Sequence, residues 1–252
     1  MNIRIKNGPV AYFDILGYKS INDNNEIKKV AQIIIDHLDG IPVIIHDFLK
    51  KAISPISPSS KDENKFARSI SCLLLSDSIL LTSKQPFKVE LKLVNWLFFL
   101  LTCSMLMNNL FNKGLILRGA VGYGEYFKKR NCFAGKPIID ACELSECLDL
   151  AGCAIVPNAW EEIEDALADE GMEQMADLIR SITFRYEVPL KNDKSEPRTI
   201  IPFDIPKCSD DDIVKILHTA FTTYNRGNKI TKDVERKIQN TAMMIESFLQ
   251  CK

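Results

Sequence analysis

Two aspartates stand where the chain is otherwise apolar. Asp14 sits in the run PVAYFDILGY (residues 9–18), and Asp77 interrupts LLLSDSILL (residues 73–81). An ionised carboxylate is costly to bury unless it is paired or holds a metal. Taken singly, each has an ordinary role: Asp is favoured in tight turns, which suits Asp77, and at helix N-termini, which suits Asp14. Taken together they point to chemistry, provided that the fold sets them side by side. Two carboxylates held close repel and raise each other's pKa unless a cation lies between them. Mg²⁺ or Mn²⁺ is the natural occupant, because hard cations take carboxylate oxygens together with substrate phosphates.

Periodicity and turn residues predict the elements that must position this pair. A first strand covers 9–14, and a helical pattern over 20–52 is broken near 39–42. A Ser/Pro-rich polar loop occupies 54–65, and a tight hairpin turns at Ser76 and Asp77. A long helix over 86–112 leads to a strand at 115–127, a helix near 136–150 and a strand at AIVPN (154–158). One helix near 159–180, a second hairpin around a loop at 191–197, and helices at 209–224 and 230–250 complete the chain. The order strand–helix–strand–strand–helix–strand implies an α+β sandwich with a ferredoxin-like antiparallel sheet. In such a sheet the C-terminal end of the first strand lies beside the hairpin turn. Asp14 and Asp77 are therefore expected to face each other at one sheet edge.

Composition narrows the partners. The net charge is −1 and the pI about 6.3, so no basic face suggests nucleic acid. No signal-peptide h-region opens the chain, which suggests a cytoplasmic protein. The eight cysteines form no CxxC pair, and the run CELSECLDLAGC (142–153) reads as packed thiols rather than a metal site. The uncharged stretch 93–111 is long enough to span a bilayer, yet its three asparagines and flanking lysines favour a helix buried in the domain, without stable membrane insertion.

Four blocks, FDILGY (13–18), LLLSDSILL (73–81), LRGAVGYGEYF (117–127) and AGKPIIDACELSE (134–146), resemble class III nucleotidyl cyclases in order and spacing, over about residues 9–160. The resemblance implies a catalytic domain over 1–180, with 181–252 as a hairpin and helical extension of the same domain. It implies that Asp14 and Asp77 bind two divalent cations, Mn²⁺ or Mg²⁺, with the Ile15 carbonyl on the second. The backbone near Phe13 and Ile15 would hold the triphosphate, and Gly17 would turn the chain beside it. The ribose 3′-oxygen would then attack the α-phosphorus in line, releasing diphosphate and a 3′,5′-cyclic nucleotide.

The departures from the family pattern are specific. Leu73 and Cys132 fall at the base-reading positions, and neither purine code is complete there. The family's transition-state Asn and Arg fall on Ile139 and Glu143, leaving Lys136 or Arg118 as substitute cations, unless Arg118 is structural or the chain inactive. The sequence is similar to the stand-alone pyrimidine cyclases of bacterial Pycsar antiphage systems. That branch implies UTP, or else CTP, as substrate, and a separate effector protein activated by cyclic UMP or cyclic CMP. A single catalytic domain implies a head-to-tail homodimer with sites at the interface. A purine cyclase and a catalytically inactive nucleotide-binding regulator are the alternatives.

Overall fold

The computed structural model describes residues 3–53, 68–84, 86, 90–130, 132–168, 172–205, 210–227 and 229–251. The polar loop expected at 54–65 and Cys208 lie outside the described residues. Strand β1 (Ile5–Ile15) is followed by α1 (Tyr18–Asn24), α2 (Ile27–Ile34), a π-helical segment (Ile35–Asp39) and α3 (Ile41–Ile53). Next come the hairpin β2 (Ile70–Leu75) and β3 (Ser78–Ser83), the long α4 (Glu90–Phe111), β4 (Leu117–Lys129) and a short β5 (Cys132–Ala134). Helix α5 (Lys136–Cys147), β6 (Gly152–Ile155), α6 (Pro157–Leu167) and α7 (Glu173–Ile182) lead to β7 (Phe184–Leu190) and β8 (Lys194–Ile201). Helices α8 (Asp210–Thr222) and α9 (Lys232–Gln250) end the chain.

The strands form one mixed eight-stranded sheet in the order β2-β3-β1-β4-β6-β8-β7, with β5 paired to the end of β4. The first four strands of that order are antiparallel throughout, the ferredoxin-like arrangement, with β1 in the middle. β6 joins β4 in parallel, and β8 and β7 continue the sheet, so the C-terminal hairpin extends the same layer. The fold is therefore α+β, as the element order implies.

Helix α4 contains the one described segment long and apolar enough to cross a membrane, Leu91–Phe111, with mean hydropathy 1.4. It lies inside the protein: Trp96, Phe99, Leu100, Cys103, Met107 and Leu110 are fully covered. Two of its asparagines are accounted for, since Asn95 Oδ1 accepts from Ser83 Oγ (2.8 Å) and Asn108 Oδ1 from the Asp204 N–H (2.8 Å). Cys103 lies beside Cys153, and both are buried thiols. Burial pushes the Cys72 thiol up to about 12 and raises that of Cys153 as well, so neither of these two is a thiolate at neutral pH.

Several elements differ from the sequence expectation. β1 begins at Ile5, because it pairs with β4 along its whole length, from Ile5 opposite Phe127 to Ile15 opposite Leu117. Two helices replace the one expected at 159–180; Pro157 starts α6 at a position where its missing N–H costs nothing. The second hairpin turns over 191–193 rather than 191–197. Asn192 (φ 69°) and Asp193 (φ 56°) take left-handed backbone there, which their short polar side chains tolerate. Pro197 sits within β8, where β6 pairs only Ile200 and Ile201 and no second ladder needs its N–H.

Candidate functional site

Asp14 is the penultimate residue of β1, opposite Ser78 on β3 and Arg118 on β4. The Ile15 N–H donates to the Asp77 carbonyl at 3.0 Å, and Leu16 N–H to the Ile116 carbonyl at 2.8 Å. The β2–β3 turn is thereby fastened to the end of β1, and Asp77 lies close enough to add to the negative potential at Asp14. Gly17 (φ 78°) then reverses the chain into α1; the space around it is open, so its left-handed backbone, not crowding, calls for glycine.

Arg118 is held through both terminal nitrogens of its guanidinium, while its buried Nε has no partner among the described residues. Its guanidinium, only 7% exposed, donates to Asp14 Oδ2 at 2.8 Å. It also donates to the carbonyls of Leu148 at 3.0 Å and Glu146 at 3.4 Å. It therefore ties β1 to the end of α5 and presents Asp14 to the cavity described below.

Burial raises the Asp14 pKa above its ordinary value of 3.8; Arg118 opposes this, and Asp77 and Glu146 add to it. One buried cation leaves the pair of carboxylates under-compensated, and a divalent ion is the species that would restore balance. The donor set fits such an ion only in part from side chains. Among the described residues no group of three or more His, Cys, Asp or Glu side chains could hold a metal. Two carboxylates completed by a main-chain carbonyl, water and substrate oxygens is how Mg²⁺ is commonly bound.

The raised pKa gives a first prediction, for metal-free protein. The native state binds the Asp14 proton more tightly than the unfolded chain does, so unfolding releases it and stability falls as pH rises from near 3.8 through the raised native value. Asp14→Asn has no proton to lose. The wild-type melting temperature minus that of Asp14→Asn is therefore expected to shrink as the pH rises from 3.8 toward neutrality. A difference that widens over that interval would contradict the assignment.

Asp14, Asp77, Gly17 and Arg118 line one side of a cavity of about 740 Å³. That volume suits a small-molecule ligand. Its walls also carry the lysines Lys19, Lys191, Lys229 and Lys237. Lys237 is taken up by Asp233 and lies 3.8 Å from Asp149. Lys19, Lys191 and Lys229 have no carboxylate partner among the described residues. Paired carboxylates on one wall and unpartnered ammonium groups on the others suit a metal-bound polyphosphate better than a neutral ligand.

Not every residue singled out in the sequence reaches this cavity. Ile15 lines it through its backbone, since its side chain is 2% exposed and in the core. The Phe13 ring is fully buried in the same core and does not line the cavity. Leu73, opposite Leu80, packs on a separate small apolar cluster of Val10, Leu80, Tyr126 and Ile138, and Phe133, beside the exposed Cys132, packs on it too. Lys136 is exposed and bonded to Asp140 (2.8 Å) on its own helix, while Ile139 and Glu143 are exposed further along α5. None of Leu73, Cys132, Lys136, Ile139 and Glu143 lines the cavity. Conversely, the walls from Lys191 and from residues 221–237 had no signal in the sequence, because Lys191 and Lys229 sit in ordinary turn contexts and Lys237 within an ordinary helical pattern.

No protein-family model matches the chain. No curated protein matches it either. Among solved structures it is similar to a bacterial light-regulated adenylyl cyclase, with TM-score 0.48 and 10% identity over 90% of this chain and 58% of that one. A second structure described as a bacterial light-regulated adenylyl cyclase gives 0.44 and 9%, over 98% and 59%. The catalytic core of a rhodopsin-guanylyl cyclase with converted specificity, in complex with ATPαS, gives 0.42 and 11%, over 80% and 98%. The chain thus spans under three fifths of the length of the two light-regulated cyclase structures. At such scores these likenesses say nothing of this chain's substrate.

Proposed function

We propose that the protein is a nucleotidyl cyclase converting UTP, or else CTP, into the 3′,5′-cyclic nucleotide and diphosphate. The observation that carries this reading is the juxtaposition of Asp14 and Asp77 at neighbouring strand ends, in a mononucleotide-sized cavity whose other walls bear unpartnered lysines. Asp14, Asp77 and the Ile15 carbonyl would hold two divalent cations, Mn²⁺ or Mg²⁺. When bound, these supply a lowered pKa for the ribose 3′-hydroxyl and charge neutralisation on the phosphates. Arg118 keeps Asp14 oriented, the Gly17 turn gives the phosphates close access to backbone, and Lys19 and Lys191 offset charge on the departing diphosphate.

Leu73 and Cys132 lie away from the cavity of their own chain. In a head-to-tail homodimer they would come from the partner copy and face the base. Leu73 can neither donate nor accept a hydrogen bond, which supports a base other than a purine. The role of such a product is that of a second messenger in cytoplasmic antiphage defence, read by a separate effector. Residues 1–180 would form the catalytic domain and 181–252 its extension.

The test is incubation of purified protein with Mn²⁺ and each of ATP, GTP, CTP and UTP, with products identified by mass and Asp77→Ala as the blank. Cyclic UMP or cyclic CMP that disappears in the blank is the expected result. A purine product would discard the pyrimidine assignment. The inactive-regulator reading draws on α5, which offers only Ile139, Glu143 and the Asp140-bound Lys136. It would show as no product from any of the four, with Mn²⁺ and UTP still raising the melting temperature.

A further inference from the structure

The outer wall of the cavity belongs to a part of the chain beyond the cyclase-like blocks, the connection between α8 and α9. Tyr224, Asn225, Lys229, Ile230 and Thr231 line the cavity from there, next to Phe221 at the end of α8. This connection is fastened to α1, the helix that follows Asp14 and Gly17. Asn225 Oδ1 accepts from Ser20 Oγ at 3.1 Å and from Asn24 Nδ2 at 2.8 Å. The Tyr224 carbonyl accepts from Asn25 Nδ2 at 2.9 Å. The Tyr224 hydroxyl donates to the Lys113 carbonyl at 2.8 Å, with His37 Nε2 3.1 Å away.

Two backbone features serve this docking. Gly114 (φ 73°) lets the connection come close: a Cβ there would lie 2.6 Å from the Thr223 side chain. Arg226 (φ 50°) and Gly227 (φ 76°) are consecutive left-handed residues that reverse the chain after Asn225, and Lys229 then lines the cavity. Asp233, the carboxylate next along this wall, is held by Lys237 and Arg236. The Lys229 ammonium has no carboxylate partner among the described residues. A docked wall that brings an unpartnered cation to the cavity that Asp14 and Asp77 also line has the composition of a polyphosphate clamp.

We propose that the α8–α9 connection is the phosphate-side wall of the site and that Lys229 binds the polyphosphate tail of the nucleotide, in the same chain as Asp14 and Asp77. This rests on the cyclase reading for the identity of the nucleotide, but the phosphate contact can be tested without it. The probe is inorganic tripolyphosphate with Mn²⁺, titrated calorimetrically into the full chain. Wild type is expected to bind, Lys229→Ala about tenfold more weakly, the loss expected for one exposed charge-assisted contact. Lys229→Arg is expected to restore most of the affinity. Lys232→Ala, three residues further on at the start of α9 and outside the cavity, removes the same net charge and is expected to bind as wild type does. Gly114→Ala, which moves Thr223 without touching a lysine, is expected to weaken binding as well.

Equal binding by wild type and Lys229→Ala overturns the proposal, and so does a wild type that does not bind tripolyphosphate. Equal loss in Lys229→Ala and Lys232→Ala overturns it too, since net charge would then account for the effect. Failure of the cyclase reading looks different: tripolyphosphate binds through Lys229, yet no nucleotide is converted. Conversely, cyclisation with an unchanged KM for the triphosphate in Lys229→Ala removes the clamp and leaves the cyclase.

Discussion

Asp77→Ala is expected to lose turnover by a thousandfold or so while melting within about 2 °C of wild type. The two effects separate because the turn is built by the backbone. The Ile15 N–H bonds to the Asp77 carbonyl, which alanine retains, and the Asp77 side chain pairs with no cation among the described residues. Asp14→Ala is expected to lose turnover equally but also to melt lower, by roughly 4–8 °C. There the side chain pairs with Arg118, whose guanidinium is 7% exposed. Its removal leaves a buried charge with only two carbonyl acceptors. Breaking a buried pair costs about 3–5 kcal/mol, and the partial exposure of Asp14 with those remaining acceptors brings the expectation nearer 2. Product assays and thermal melts on both variants check the pair of outcomes. Retained turnover in Asp77→Ala would remove the metal assignment; equal melting losses would mean that Asp77 has a structural partner after all.

The juxtaposition of these aspartates was legible because it follows from element order. Once the apolar runs ending at Asp14 and flanking Asp77 are read as strands, antiparallel pairing around β1 leaves them few other places. The element boundaries were less legible, since tertiary pairing overrode local pattern. Ile5, Lys6 and Asn7 look too polar for a strand, yet β4 is long enough to pair with them. The turn at Lys191–Asp193 is short because Asn192 and Asp193 accept left-handed backbone, which lets polar residues up to Pro197 enter β8. The far wall of the site was not legible at all. Its contacts, such as Ser20 to Asn225, join residues some two hundred positions apart, and no periodicity records them. Leu73 and Cys132 were placed by likeness rather than by physics, and within one chain the structure leaves them off the cavity.

Arg118→Ala is expected to be the most destabilising substitution at the site, by about 3–5 kcal/mol, a fall in melting temperature of roughly 10 °C or more. Arg118 bonds to three acceptors on two elements: Asp14 on β1, and the Glu146 and Leu148 carbonyls at the end of α5. Its loss leaves the fully buried Leu148 without this donor and Asp14 without a counter-charge. The same Cys147–Asp149 segment anchors α9, through Arg236, Lys237 and Asn240 on Asp149, so the damage extends toward the C-terminal helix. Lysine is a poor substitute, since one ammonium cannot reproduce a planar fork over three acceptors. A positioning role also predicts which kinetic constant moves. The Mn²⁺ concentration for half-maximal activity is expected to rise in Arg118→Lys more than KM for the nucleotide, because Asp14 is misplaced while no phosphate contact is lost. A selective rise in nucleotide KM would instead make Arg118 a substrate cation. The double variant Asp14→Ala/Arg118→Ala is expected to be less destabilised than the sum of the single losses, since neither charge then stays buried alone. Strict additivity would show that the 2.8 Å contact carries no coupling, and that Arg118 acts only through the α5 carbonyls.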